Sequence, residues 1–235
     1  MTPRGVVRRV LAGLGLLGVA RGVLERIAPG LGWGAMEFPP FGPDVQRAAL
    51  ATGDYARYAS LALAIARIEE EGIPGAFAEV GVYRGATSRF ILRCAPRRTL
   101  YLFDTFEGFP LADREPENLG DSRFRDTSSE AVRRSLGAAD NVVIRKGRFP
   151  ATAAGLEGER FAFALLDLDV FEPTLAGLEF FYPRLAHGAY LFVHDFNNPE
   201  SNRACRRAVT KFMTDKPEQL VELPDVWGSV VLRKI

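Results

Sequence analysis

Residues 76–94 read AFAEVGVYRGATSRFILRC. Five apolar-dominated residues lead into Gly81, a second glycine follows at Gly85, and a helical pattern begins at Ala86. A short buried strand, a tight glycine turn and a helix in that order are the opening of a βαβ unit. Gly81 and Gly85 let the backbone turn sharply and approach a ligand closely, and the new helix offers its free amides there. Taken alone, Glu79-x-Gly81-x-x-x-Gly85 is equally explained by a purely structural strand-to-helix turn.

Outward from this stretch, apolar runs alternate with helical segments. The runs are Ala76–Gly81, Thr99–Phe103, Val142–Arg145, Phe161–Leu168, Ala189–Val193, Gln219–Leu223 and Ser229–Leu232. Helices are predicted at 86–95, 129–136, 174–186 and 203–213, with an earlier one that Asp54 caps and whose stripe is Tyr58, Leu61, Ala62, Ile65 and Ile68. Thr127-Ser128-Ser129-Glu130 reads as a capping box for the helix at 129. Alternation of this kind predicts a Rossmann-like, doubly wound α/β fold with a mostly parallel sheet. Only Pro224–Gly228 separates the last two strands, too short a link for a parallel crossover, so they are expected to form an antiparallel hairpin.

The 235 residues suit one α/β domain, placed at 44–235. A formal net charge of +1 offers no basic excess for nucleic acid. Cys94 and Cys205 match no metal or redox spacing and are expected to be free thiols. In residues 1–43, Arg4, Arg8 and Arg9 precede an apolar run over Val10–Ala20, and a Pro/Gly-rich connector over 28–43 carries Trp33, Phe38 and Phe41. The run has the outline of a signal peptide and is too short to span a bilayer. The preferred reading is an interfacial or packing helix, with weak membrane association through residues 6–20, on a cytoplasmic chain.

Asp104 ends the second apolar run, 23 residues beyond Gly81. In Rossmann-type sites an acid there grips a ribose diol; capping a turn is the structural alternative. A nicotinamide enzyme would share this geometry, but a pyrophosphate favours three glycines, and their absence favours a cosubstrate without phosphates. After Thr105-Phe106-Glu107-Gly108-Phe109-Pro110 a long segment to Asp126 has little periodicity and reads as a lid over the site, with a mobile surface loop as the alternative.

The run Phe161-Ala162-Phe163-Ala164-Leu165-Leu166 is wholly apolar, hence a central strand, and ends in Asp167-Leu168-Asp169. The two acids are expected to point the same way if the strand continues, their repulsion raising one pKa unless a cation intervenes. The next strand ends in His194-Asp195. Adjacent parallel strands would bring Asp167, Asp169, His194 and Asp195 to one rim, where ligands bind in open α/β sheets. Such a set suits Mg²⁺, which could lower the pKa of a substrate hydroxyl while a carboxylate or imidazole removes its proton. His187 reads as a solvated turn residue.

With these segments in view, the chain resembles the macrocin-type (TylF-like) sugar O-methyltransferases, members of the class I S-adenosylmethionine-dependent methyltransferases. The resemblance lies in IPGAFAEVGVYRGATSRFILR (73–93), LFDTFEGFP (102–110), residues 126–136, NVVIRKGRFP (141–150) and the stretch 161–212 with LLDLDVFEPTLAGLEFFYPRL and FVHDFN. It implies S-adenosylmethionine as donor, bordered by Glu79, Gly81, Tyr83, Gly85 and Ser88. Asp104, Thr105 and Phe106 would lie at the ribose and Gly147, Arg148 and Phe149 near the adenine, with Asp167 also at the donor. It implies a divalent metal at Asp167 and Asp195, with Asp169 as general base and a sugar or glycoside hydroxyl as acceptor. Many members carry two consecutive acids where this chain has His194-Asp195. An imidazole suits transition metals better than Mg²⁺, which leaves a weaker Mg²⁺ site, a Mn²⁺ site, or metal-free chemistry with His194 as base. A non-sugar acceptor and a non-catalytic donor-binding scaffold are the other readings, and a homo-oligomer is compatible with each.

Overall fold

The structure, a computed structural model, describes residues 40–114, 120–137 and 139–235. The apolar run at Val10–Ala20, Trp33 and Phe38 lie outside the described residues, whereas Phe41 is buried against the domain core. In chain order the elements are α1 (Pro43–Leu50), α2 (Tyr55–Glu70), β1 (Ala76–Val80), α3 (Ala86–Cys94), β2 (Leu100–Asp104), α4 (Ser129–Leu136), β3 (Val142–Lys146), β4 (Phe161–Leu166), α5 (Phe171–Phe181), β5 (Leu185–Val193), α6 (Ala204–Phe212), β6 (Val221–Leu223) and β7 (Ser229–Arg233).

The strands form one seven-stranded sheet in the order β3-β2-β1-β4-β5-β7-β6. Pairs from β3 through β5 are parallel, and β7 runs antiparallel to both β5 and β6. The expected hairpin across Pro224–Gly228 is therefore present. Every residue of β1 and β4 is buried, as central strands covered on both faces require. Phe161 and Phe181 pack edge to face at 5.0 Å, Phe103 and Phe149 at 5.4 Å. Each such fully buried ring contributes about 1.5–3 kcal/mol from burial.

Three local expectations are corrected. The helix predicted at 174–186 starts earlier, at Phe171, and ends at Phe181. Pro183, in the turn that follows, has no N–H to continue the α-helical ladder, so Leu185 opens β5 instead of extending a helical stripe. His187 accordingly lies in β5, exposed, not in a turn. The capping box also fails to close: Ser128 caps α4 by accepting from Ala131 N at 3.1 Å, while the Thr127 hydroxyl donates to Tyr83 O at 2.6 Å. The helix α1 has a short amphipathic register that the sequence reading passed over. Cys94 and Cys205 are both free, and among the described residues no helix is long and apolar enough to cross a membrane.

The sheet's topology sets the position of the site. Backbone bonds Gly81 N to Phe103 O (2.9 Å), Asp167 N to Val80 O (2.8 Å) and His194 N to Leu166 O (2.9 Å) carry the ladder one residue past β1, β4 and β5. The carboxyl ends of β2, β1, β4 and β5 thus finish side by side, and all the candidate residues fall on that edge.

Candidate active site

A cavity of about 440 Å³ opens at this edge, a size that suits a small-molecule cosubstrate. Its lining includes Glu79, Gly81, Tyr83, Asp104, Thr105, Gly147, Arg148, Phe149, Asp167 and Asp169. Gly85, Ser88, Phe106, His194 and Asp195 do not line it.

On the β1–β3 side the backbone does most of the shaping. Gly81 has φ +89°, and a Cβ there would lie 1.8 Å from the Asp167 carbonyl oxygen. The glycine is thus required by the neighbouring strand end as well as by the turn. Gly85 (φ +72°) opens α3 from the left-handed region, where L side chains are disfavoured. Asp104 gathers the turn: its Oδ2 accepts from Val82 N (2.6 Å) and Tyr83 N (2.8 Å), and its Oδ1 from Phe106 N (2.7 Å). A carboxylate has about four acceptor sites, so the capping role weighed for Asp104 is realised and a remaining lone pair stays available to a ligand. Ser88 lies behind Glu79 and donates to its Oε2. Burial raises the Glu79 pKa to about 8, against the pull of the Ser88 hydrogen bond.

The segment after β2 folds back over this side. Thr105 Oγ1 donates to Gly108 O at 2.8 Å, fixing a turn. Phe109 and Phe124 meet edge to face at 5.4 Å, and Phe124 meets Tyr83 at 5.1 Å. Arg148 Nε donates to both oxygens of the buried Asp113 at 2.9 Å, tying the segment to the loop after β3. Phe109, Pro110, Asp113 and Phe124 line the cavity, the position a lid requires. Phe149 also belongs to the core, stacked on Phe181 at 5.7 Å.

On the β4–β5 side, charge does the shaping. Asp167 Oδ2 accepts from Arg57 Nη2 at 2.6 Å, and its Oδ1 lies 3.2 Å from His194 Nδ1. His194 Nδ1 lies 2.8 Å from Asp195 Oδ2. Asn198 Nδ2 donates to Asp195 Oδ1 at 3.0 Å and reaches Asp169 Oδ1 at 3.5 Å. The four predicted rim residues are therefore together, but not by strand alternation. β4 stops at Leu166, and Asp169 (φ +59°) and Asp195 (φ +56°) both adopt left-handed backbone. Asp and Asn tolerate that region better than most side chains, and strained backbone of this kind concentrates at functional sites.

The charges divide the acids. Burial pushes Asp167 up, but Arg57 and then His194 outweigh it and hold Asp167 well below the usual carboxylate range. Burial and the charges of Asp195 and Asp167 raise Asp169 well above it. Burial alone would lower His194; the adjoining Asp167 and Asp195 reverse this and carry it to about 10. Of the two groups weighed as base, Asp169 lines the cavity and His194 lies behind it.

Arg57, Asn198 and Asp113 were not singled out from sequence. Arg57 carried a signal, since it sits one turn before Leu61 on the buried face of α2. A charged residue in a core register is seldom buried unpaired.

The strand order, with its antiparallel seventh strand and its site at the carboxyl edge, defines the class I methyltransferase fold. The profile of the macrocin O-methyltransferase (TylF) family matches residues 40–228, and the chain belongs to that family. It is 31% identical over 169 residues to the 8-demethyl-8-(2,3-dimethoxy-α-L-rhamnosyl)-tetracenomycin-C 4′-O-methyltransferase of Streptomyces olivaceus, a match covering 65% of this chain and 63% of that relative. It is 29% identical to the mycinamicin III 3″-O-methyltransferase of Micromonospora griseorubida, covering 60% of this chain and 61% of that one. Among solved structures it resembles the O-methyltransferase NovP, at TM-score 0.63 and 25% identity over 77% of this chain and 80% of NovP.

Proposed function

We propose that this protein transfers a methyl group from S-adenosylmethionine to a hydroxyl of a sugar or glycosylated small molecule. The observation that carries the reading is that the glycine turn and the acid pair Asp167/Asp169 open onto one cavity. A donor bound against the turn would thus have its methyl group near a carboxylate. The named activities of the tetracenomycin and mycinamicin relatives supply the acceptor class.

In this reading Glu79, Gly81 and Tyr83 border the methionyl part of the donor, with Gly85 and Ser88 supporting them from behind. Asp104 and Thr105 face the ribose, with Phe106 buttressing their turn, and Gly147, Arg148 and Phe149 lie at the adenine end. The lid segment over Phe109 and Phe124 excludes water. Asp169 accepts the acceptor's proton while the oxygen forms its bond to the methyl carbon. The carbon–sulfur bond breaks with its electron pair passing to sulfur, which leaves neutral S-adenosylhomocysteine. Asp169 lines the cavity, which puts its carboxylate within reach of an acceptor seated there.

Asp167, His194 and Asp195 offer one ligand atom each within 4.8 Å of one another, a donor set that fits a divalent cation. The imidazole favours a transition ion such as Mn²⁺ over Mg²⁺. Such an ion, when bound, would lower the pKa of the acceptor hydroxyl. In this reading the chain works in the cytoplasm, where such a donor is made.

Calorimetric titration with S-adenosylhomocysteine, with and without Mn²⁺ or Mg²⁺, tests the donor site. Saturable micromolar binding is expected, followed by methylation of rhamnosyl glycosides detectable by mass. Folded protein that binds no S-adenosylhomocysteine under any of these conditions defeats the reading.

A further inference from the structure

His194 Nε2 and Asp225 Oδ2 are two of the buried polar atoms at the acid cluster that lack a partner, Arg57 Nε being a third. Asp54, His194 and Asp225 also bring one ligand-type atom each to within 4.8 Å of one another. Asp225 lies outside the cavity, in the turn between β6 and β7, and the site as described makes no use of it.

That turn is held in place from several sides. Asp54 Oδ1 accepts from Arg57 N at 3.3 Å, and its Oδ2 accepts from Val226 N at 3.3 Å, joining the start of α2 to the turn. Phe196 N donates to Gly228 O and Asn197 N to Trp227 O, both at 2.9 Å, so the residues just after His194-Asp195 are fastened to the same turn. Ser229 N donates to Asp225 Oδ1, which leaves Oδ2 as the unused acceptor. Trp227 keeps φ at +66° in this arrangement, a conformation that a bulky residue holds only under constraint. The electrostatic surroundings agree, since Asp225 is raised first by burial and feels both His194 and Asp54.

We infer that Asp225, with Asp54 beside it, is the positioning residue of His194: the imidazole Nε2–H donates to Asp225 Oδ2, directly or through one water, and this holds Nδ1 toward Asp167 and Asp195. The two unpartnered atoms then satisfy each other, as buried polar groups nearly always do. Which ring nitrogen stays protonated in a histidine is set by the hydrogen bond the other end makes. With the proton anchored at Nε2, Nδ1 is the nitrogen free to exchange its proton for a cation. A carboxylate behind a ligating imidazole is also what raises its basicity. The imidazole at 194 then works as part of a carboxylate–imidazole pair. The consequence for cation binding rests on the proposed role of Asp167, His194 and Asp195, whereas the hydrogen bond itself does not.

The chain has two histidines, so long-range ¹H–¹⁵N correlation of the imidazoles in the full chain separates His194 from the exposed His187. The metal-free wild type is expected to show a slowly exchanging Nε2–H on His194. In Asp225→Asn, which retains an oxygen for Ser229 N, that proton should shift and exchange faster while His187 is unchanged. Mn²⁺ affinity, read from the free-ion electron paramagnetic resonance signal, should fall about 10–100-fold in Asp225→Asn and less in Asp54→Asn. A wild-type His194 whose Nε2 carries no proton at neutral pH overturns the inference without any variant. So does an unchanged Nε2–H signal in folded Asp225→Asn. If the wild type binds no Mn²⁺, the cation reading of the cluster fails, and the nitrogen signals still decide the role of Asp225.

Discussion

The two halves of the cavity rim are built by different means. On the β1–β3 side, backbone turns and amides do the shaping, and Asp104 spends most of its acceptor capacity on three main-chain N–H groups. On the β4–β5 side, side-chain charges face one another: Arg57 and His194 are set against Asp167, Asp195 and Asp169. The first construction makes a rigid cradle of nearly fixed shape. The second makes a balance of charge, in which losing one member changes the state of the others. Substitutions on the first side should therefore act on fold and donor affinity, and those on the second on the chemical step.

The strongest test is Gly81→Ala. With its Cβ directed into the Asp167 carbonyl, the substitution should cost about 4 kcal/mol or more, read as a large loss in denaturant midpoint. A mild effect would show that the two halves are less tightly joined than the contact implies. Next is Asp169→Asn, expected to lower kcat/KM by about 10²–10⁴-fold with S-adenosylhomocysteine affinity held within about 3-fold. Loss of donor binding in this variant would erase the division between the halves.

Glu79→Gln probes a fully buried ionisable group within the backbone-built half. The unfolded chain releases the Glu79 proton near pH 4.3, whereas the folded chain holds it up to about pH 8. Between those values the folded state binds the extra proton, so wild-type stability falls as pH rises. Glu79→Gln should remove this slope, worth on the order of a few kcal/mol across the window, in melting curves taken at pH 5 and pH 8. Equal slopes in both proteins would refute the assignment. The smallest effect belongs to Arg148→Ala. It frees Asp113 and should raise donor dissociation only a few-fold in stopped-flow measurements, because the Arg148 side chain is half exposed.

The same division explains what the sequence disclosed. Glycine spacing, an acid after the second strand and a wholly apolar fourth strand are local patterns, and they led to the sheet, its antiparallel end and the cavity edge. The balance of charge was harder to read. Arg57 lies 110 positions from its partner Asp167, and no local pattern links them. Asp167 and Asp169 were expected to align through a continuing strand, yet a left-handed residue brings them together. Nothing in the composition of residues 167–169 marks that turn. Asn198, which reaches both Asp195 and Asp169, follows His194 by four positions and was hidden among loop residues. The boundary between α5 and β5 falls around Pro183, and the strand begins inside a run that keeps helical periodicity.

The contact between Gly81 and the Asp167 carbonyl bears on how such a protein can diversify. The peptide of Asp167 fills the space a side chain would need in the glycine turn, so the spacing between that turn and the acid cluster is set at main-chain level. Sliding one strand against the other would drive the Asp167 peptide into that turn. The side chains that line the cavity after β2 and at the end of β4 can change without moving that contact.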